Sequence, residues 1–443
     1  METQSETARS TKNNRLRMPR VSRRLGVTAL AVTLLVGAAP GAATPASGAP
    51  SKAAVGQDRP ELQRAIQATV DAGFLGVQLR VHDERGDWVG SAGVSRLGKA
   101  AKPPTNGRFR AGSVTKTFVA TVVLQLVAEG KIGLDASAAD YLPAFGLDRR
   151  ITVRMLLQHT SGVFNYTGEY YPDGTVVPGI PWSGKEWVEN RFRTYRPEDL
   201  VRFALSKPAR FAPGTDWSYS NTNYTLAMLL IEKITGSSYA DEVQRRIVRP
   251  LRMSGTVAPG TWPQIPGPHA HAYYRYEDGG QQKTVDVTRQ NPSWAPGAGD
   301  MISTTRDLHT FISALTGGKL LPDPLLAEMR KPHPTSGYGL GLFVLDLGPN
   351  CGGTILNHNG GVQGYATLMY STPGGSRTLE ASLTYTADAA DPSSLQEAFQ
   401  KAVQTLTTEV FCGEQAGSPD RAEPARSTPP NTVDPYTLRM GSI

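Results

Sequence analysis

The chain has 443 residues, 39% hydrophobic and 19% charged, with 46 Gly, 33 Pro and 2 Cys. That length allows one large domain or two interleaved ones, and a core of such size needs no metal or disulfide framework to hold it. The formal charge of +7 does not argue for a nucleic-acid partner: residues 1–49 hold seven Lys or Arg and two Asp or Glu, a net +5 that leaves +2 for the rest.

The first segment reads as a secretory leader over residues 1–49. Arg15, Arg17, Arg20, Arg23 and Arg24 precede an apolar run from Leu25 to Ala39, followed by a small-residue stretch up to Ala49. We expect cleavage between Gly41 and Ala54. The alternative is a membrane anchor, but the run is shorter than the ~20 residues a spanning helix needs. The expectation is therefore a secreted or extracytoplasmic protein with no stable membrane span after cleavage. Ser22-Arg23-Arg24-Leu25 leaves twin-arginine export open, and Met18 is an alternative start.

A helix is predicted from Pro60 to Phe74, with Leu62, Ile66 and Val70 on one stripe. A strand from Gly76 to His82, a turn at Glu84–Asp87 and a second strand follow. From Thr115 to Glu129 the apolar spacing marks a well-buried helix. The middle of the chain reads as helical, with helices near 223–235 and 240–248. Residues 164–196 show no period and are taken as a long surface excursion, the rim of a cleft.

Four short strands are predicted after Trp294, at 340–345, 354–357, 365–371 and 378–384, with a hairpin signal at Pro373-Gly374-Gly375. A closing helix runs from Pro392 to Val410. Short connections make the sheet antiparallel. The expected fold is α/β: an antiparallel sheet flanked by terminal helices, with an inserted all-helical region. The main folded domain is expected over 55–413, its sheet part about 58–130 and 295–413 and its helical part about 131–294. Residues 414–443 are polar and Pro-rich and read as a disordered tail.

Three short motifs carry candidate chemistry. Ser113-Val114-Thr115-Lys116 opens the buried helix, and a spacing of three brings the lysine amine towards the serine hydroxyl. A serine needs a neighbouring base to become a nucleophile, and an amine in an apolar site can serve. Alone, the pair is equally a helix cap followed by a surface lysine. Tyr219-Ser220-Asn221 is the one Tyr-x-Asn in the chain and is otherwise an ordinary helix start. His358-Asn359-Gly360 is the one His-x-Gly, otherwise a strand running into a Gly turn.

No Gly-x-Ser-x-Gly elbow, His-Glu-x-x-His or Walker loop occurs. His269-Ala-His271 reads as a surface turn without a third ligand. Cys351 and Cys412 favour a disulfide in an oxidising compartment, with two buried thiols as the alternative.

In this order and spacing, the three motifs resemble the penicillin-recognising serine enzymes, most closely exported DD-carboxypeptidases and class C β-lactamases. Ser293-Trp294-Ala295, Gly299–Asp307, Gly337–Gly341 and the placement of Cys351 and Cys412 also look like that group, and the likeness spans roughly residues 60–413. His159-Thr160-Ser161-Gly162 resembles a structural segment of the family and is given no catalytic role.

The resemblance implies that Ser113 is the nucleophile, that Lys116 helps deprotonate it, and that Tyr219 is the general base and later acid. Asn221 would hold a substrate amide carbonyl, and His358 would keep its wall of the cleft polar and electropositive. The N–H groups of Ser113 and Gly361 would form an oxyanion hole, and Trp294 would line the cleft. No metal or organic cofactor is implied.

The substrate expected from the resemblance is a peptide or peptidoglycan-like molecule, with D-alanyl-D-alanine carboxypeptidase as the leading label. β-Lactams would acylate Ser113 as inhibitors or substrates. The alternatives are a D-stereospecific amidase or aminopeptidase, an esterase, a β-lactamase, or a penicillin-binding sensor without turnover. One departure bears on the choice. The family's carboxypeptidases carry hydroxyls after the His and an Arg on the preceding strand, for a free carboxylate. Here those positions are Asn359 and Gly361, and the strand reads Leu342-Phe343-Val344-Leu345.

Overall fold

The computed structural model describes residues 58–171, 173–388 and 391–412. The expected leader with its cleavage zone and the tail over 414–443 lie outside them.

Six strands form the main sheet: β1 (Gly76–Asp83), β2 (Gly86–Gly93), β3 (Phe343–Asp346), β4 (Thr354–Val362), β5 (Tyr365–Ser371) and β6 (Thr378–Thr384). Their order is β2-β1-β6-β5-β4-β3, and every pairing is antiparallel. The N-terminal hairpin therefore joins the C-terminal strands through β1 against β6, with Val77 opposite Leu383 and Val81 opposite Leu379. Strands far apart in sequence thus pair in the middle of one sheet.

Five helices pack on or beside it: α1 (Pro60–Asp71), α2 (Thr115–Ala128), α3 (Asn221–Thr235), α4 (Thr305–Thr316) and α5 (Pro392–Thr407). Proline at its first position starts α1, and Leu62, Ala65, Ile66 and Thr69 form its buried stripe. By contrast α2 is buried almost all round, from Thr115 to Leu124 without a break. Such a helix lies inside a core, and Phe118 stacks on Phe311 of α4 with ring centroids 3.7 Å apart. Beyond α5, the Cys351–Cys412 disulfide ties the segment after that helix to the turn before β4.

The inserted region is not all-helical. It holds a small hairpin, Gly168–Tyr170 with Val176–Pro178, and a longer one, Tyr273–Asp278 with Gln281–Asp286. The latter is extended in parallel by Thr386–Asp388. Tyr273, Tyr274 and Val287 are buried there. The segment 164–196 is likewise only partly a surface excursion: Phe164, Tyr166, Trp182, Trp187 and Val188 are all buried. A lack of period hid a folded layer.

Candidate active site

A two-residue approach of backbone to backbone positions the site. Strand β3 pairs with β4 only over Thr354–Asn357, so residues 358–362 continue past the end of that neighbour. There the chain at Gly112–Ser113 lies directly against β4. A Cβ on Gly360 would sit 2.0 Å from the Ala111 carbonyl oxygen and 3.2 Å from the Ser113 nitrogen. One on Gly112, which has φ +53°, would sit 2.6 Å from the Gly361 nitrogen. Only glycine permits this contact. It brings the N–H groups of Ser113 and Gly361 into one small region.

Ser113 occupies a single 3-10 turn, Gly112–Val114, that leads into α2. One turn on, Lys116 is fully buried. Its Nζ lies 3.0 Å from Ser113 Oγ, 2.8 Å from Asn221 Oδ1 and 2.7 Å from the Ala298 carbonyl. It also stands 4.6 Å from the Tyr219 ring centre. Two of those three oxygens can only accept. A neutral Lys116 donating to Asn221 and Ala298 therefore has its lone pair left for the Ser113 hydroxyl proton. The geometry suits a proton moving between serine and lysine.

The orientation of Asn221, the first residue of α3, is fixed from behind. Its Nδ2 donates to Thr167 Oγ1 (3.3 Å) and its backbone N–H to Asn165 Oδ1 (3.1 Å). With Nδ2 turned to Thr167, Oδ1 must face Lys116. The loop carrying these two residues is pinned by Glu169, whose carboxylate accepts from the Asn165 N–H and pairs with Arg210. Burial raises the Glu169 carboxyl to about 7 although Arg210 and the Asn165 N–H pull it back. Asp300, buried near Lys116 and accepting from Tyr239, is pushed up to about 6 by the same desolvation.

Tyr219 packs against His159, with centroids 4.3 Å apart and the rings tilted by 36°. His159 holds a left-handed backbone (φ 62°) at the end of a short helix. Its Nδ1 accepts from the Ser220 N–H and meets the Asn223 amide. Burial, then the Lys116 charge, holds its pKa well below the usual histidine value. It is a neutral ring that shapes the Tyr219–Asn221 turn.

His358 departs from expectation. It is buried, with Nδ1 at the Asn359 carbonyl (2.7 Å) and Nε2 at the Tyr338 hydroxyl (3.1 Å). Burial, reinforced by Lys116, lowers it to about 3. The wall it forms is polar but uncharged, not electropositive. Desolvation and the neighbouring Lys116 both disfavour an imidazolium here.

Trp294 stands one step away, its ring 4.3 Å from that of Trp182. It begins the loop whose Ala298 carbonyl reaches Lys116. His269 and His271 are half-buried and border a separate cavity of about 430 Å³ with Arg191, Phe192 and Asp286.

Motif reading thus located Ser113, Lys116, Tyr219 and Asn221, which the fold brings together. It missed Asn165, Thr167, Glu169 and Tyr338 as supports, because their roles arise from tertiary contacts. The available signals were His159, assigned no role, and the Gly337–Gly341 segment that contains Tyr338.

A buried serine–lysine pair under the free end of an antiparallel strand defines a class of protein. A family model described as Beta-lactamase matches residues 62–397, and the chain belongs to that family, among the penicillin-recognising serine enzymes.

Among solved structures, the chain is similar to a D-stereospecific amidohydrolase from Streptomyces sp. The identity is 37%, over 80% of this chain and 99% of that one, with a TM-score of 0.68. A D-amino acid amidase from Ochrobactrum anthropi SV3, complexed with D-phenylalanine, shares the fold at 24% identity. That match covers 79% of this chain and 99% of the other, with a TM-score of 0.66. The chain is also 28% identical over 236 residues to the putative penicillin-binding protein PbpX of Bacillus subtilis (strain 168). It spans about half the length of that curated relative, 53% of each chain being covered.

Proposed function

We propose that the protein is an exported serine hydrolase that cleaves amide bonds of D-amino-acid substrates through an acyl-enzyme on Ser113. In this reading Lys116 takes the Ser113 proton as Oγ attacks the substrate carbonyl. The oxyanion is held by the N–H groups of Ser113 and Gly361, each contributing about 3 kcal/mol to lowering the barrier. Tyr219 then passes a proton to the leaving amine, and water enters by the reverse path. Asn221 presents its remaining amide hydrogen to a substrate carbonyl, and Trp294 with Trp182 forms an apolar side of the cleft.

One observation carries the hydrolase reading: Lys116 Nζ within 3.0 Å of Ser113 Oγ and tied to two acceptor-only oxygens. The choice of amide over free acid rests on the sheet wall. His358 is neutral there, and β3 reads Phe343-Val344-Leu345-Asp346 with no basic residue to pair a carboxylate. The likeness to a D-stereospecific amidohydrolase supports the same choice. We therefore favour a D-stereospecific amidase over the D-alanyl-D-alanine carboxypeptidase that the motifs alone put first.

The test sets D-phenylalanine amide and its L enantiomer beside an N-acylated peptide ending in D-Ala-D-Ala, with Ser113→Ala as control. Ammonia release from the D-amide alone, absent in the variant, is the expected result. Release of D-alanine from the free acid in preference to the amide would return the assignment to a carboxypeptidase. Turnover that survives Ser113→Ala would end the acyl-enzyme reading.

A further inference from the structure

Away from Ser113, the main sheet brings three metal-ligating side chains together from three elements. His82 lies near the end of β1, Asp87 near the start of β2 directly opposite it, and His309 reaches them from α4. One donor atom from each lies within 4.8 Å of the others, and the two imidazole rings are 5.0 Å apart. All three remain reachable from solvent, with side-chain exposures of 36%, 38% and 19%.

The surrounding groups have the form of a second coordination shell. Asp87 Oδ1 faces His82 Nδ1 at 2.6 Å, while its other oxygen, Oδ2, is held by Arg80 at 3.0 Å. His309 Nδ1 rests on the Thr378 hydroxyl at 2.9 Å, which leaves its Nε2 to ligate. Behind that ring lies Glu380 on β6, completely buried, its carboxylate 3.9 Å from His309 Nδ1. The Glu380 carboxyl takes a hydrogen bond from the Thr378 side chain. The Thr378 hydroxyl thus stands between Glu380 and the far nitrogen of His309, and a hydrogen-bonded outer-shell group on that nitrogen is what orients a histidine on zinc.

We propose that His82, Asp87 and His309 bind one zinc-like divalent cation, with water completing the site and Arg80, Thr378 and Glu380 supporting the ligands. Zinc bonds of about 2.0–2.1 Å put neighbouring donors roughly 3.3 Å apart. The His82–Asp87 contact must therefore open slightly while His309 closes by rotation of one side chain. The bound ion clamps the β1–β2 hairpin to α4 and acts on stability, not on the Ser113 chemistry.

The test is titration of EDTA-treated protein with cobalt(II) and zinc(II), read by visible absorption and calorimetry. We expect one equivalent of cobalt to give d–d bands that zinc abolishes, together with a rise in Tm. His82→Asn and His309→Ala should each abolish the bands. Glu380→Gln should weaken binding about 10–100-fold. His271→Ala, altering the other histidine pair, should change nothing. His82 is partly exposed, so its variant folds even where His309→Ala does not. Absence of bands, or bands that survive His82→Asn or disappear in His271→Ala, would overturn the proposal.

Discussion

The two walls of the candidate site are built on different principles. On the helical wall, Ser113, Lys116 and Asn221 are joined by side-chain hydrogen bonds, and Asn165, Thr167 and Glu169 extend that network behind them. On the sheet wall, backbone does the work: Gly360 and Gly361 lie against Gly112–Ser113, and the one polar ring facing Lys116, His358, is neutral. The first wall can move protons. The second can hold an oxyanion and a substrate, and it discriminates by what it lacks.

The largest effect should come from the helical wall. Ser113→Ala and Lys116→Ala should each reduce kcat on a D-amide by at least about a thousandfold, and the double variant should be little worse than either. Single-turnover kinetics on all three would check this. Additive losses would mean that the two residues do not act as one unit.

Next in size is Gly360→Ala, which probes the sheet wall through its backbone. The new Cβ would meet the Ala111 carbonyl at 2.0 Å, so β4 must shift away from Ser113. A misplaced donor pair should lower kcat by about a hundredfold with KM changed less, and stability should fall by about 1–3 kcal/mol. Steady-state kinetics with urea unfolding would separate the two effects.

A smaller loss is expected from Thr167→Val. Removing the hydroxyl that receives Asn221 Nδ2 frees the Asn221 amide to turn, so that Lys116 loses an acceptor for part of the time. We expect about a tenfold loss in kcat and a loss of folding stability on the order of 1 kcal/mol. Serine at the same position should restore most activity.

Sequence patterning located the sheet, because short β-rich runs such as Tyr365–Ser371 and Thr378–Thr384 are set off by turn residues. Short motifs located Ser113, Lys116, Tyr219 and Asn221 because the chemistry demands those residue types. Neither route could reach Thr167 or Glu169, whose contacts bridge 54 and 41 residues of chain. The charge of His358 was misjudged for a related reason. A histidine beside a lysine looks electropositive in one dimension, and only the fold shows that its ring is buried. The strand at Tyr273–Asp278 was missed because half its residues are polar and its partner lies beyond a Gly-Gly turn.

The last comparison is in pH, where the two walls should pull stability in opposite directions. Glu169 is raised to about 7 in the folded protein, against an ordinary value of 4.5. Between those values the native state binds more protons than the unfolded state, so this group's contribution is full below pH 4.5 and is lost as pH rises through 7. His358 is lowered to about 3 from 6.5. There the unfolded state binds more protons, so its contribution is full above pH 6.5 and is lost as pH falls towards 3.

Each proton mismatch carries a slope of up to about 1.4 kcal/mol per pH unit, and from pH 4.5 to 6.5 the two largely cancel. Glu169→Gln should remove the descending part and leave stability rising more steeply with pH over that window. His358→Gln should do the reverse. Urea unfolding of the three proteins at half-unit pH steps would read both slopes. If Glu169→Gln left the curve unchanged, the helical wall's buried carboxylate would have to be ionised throughout, with Arg210 fully offsetting its burial.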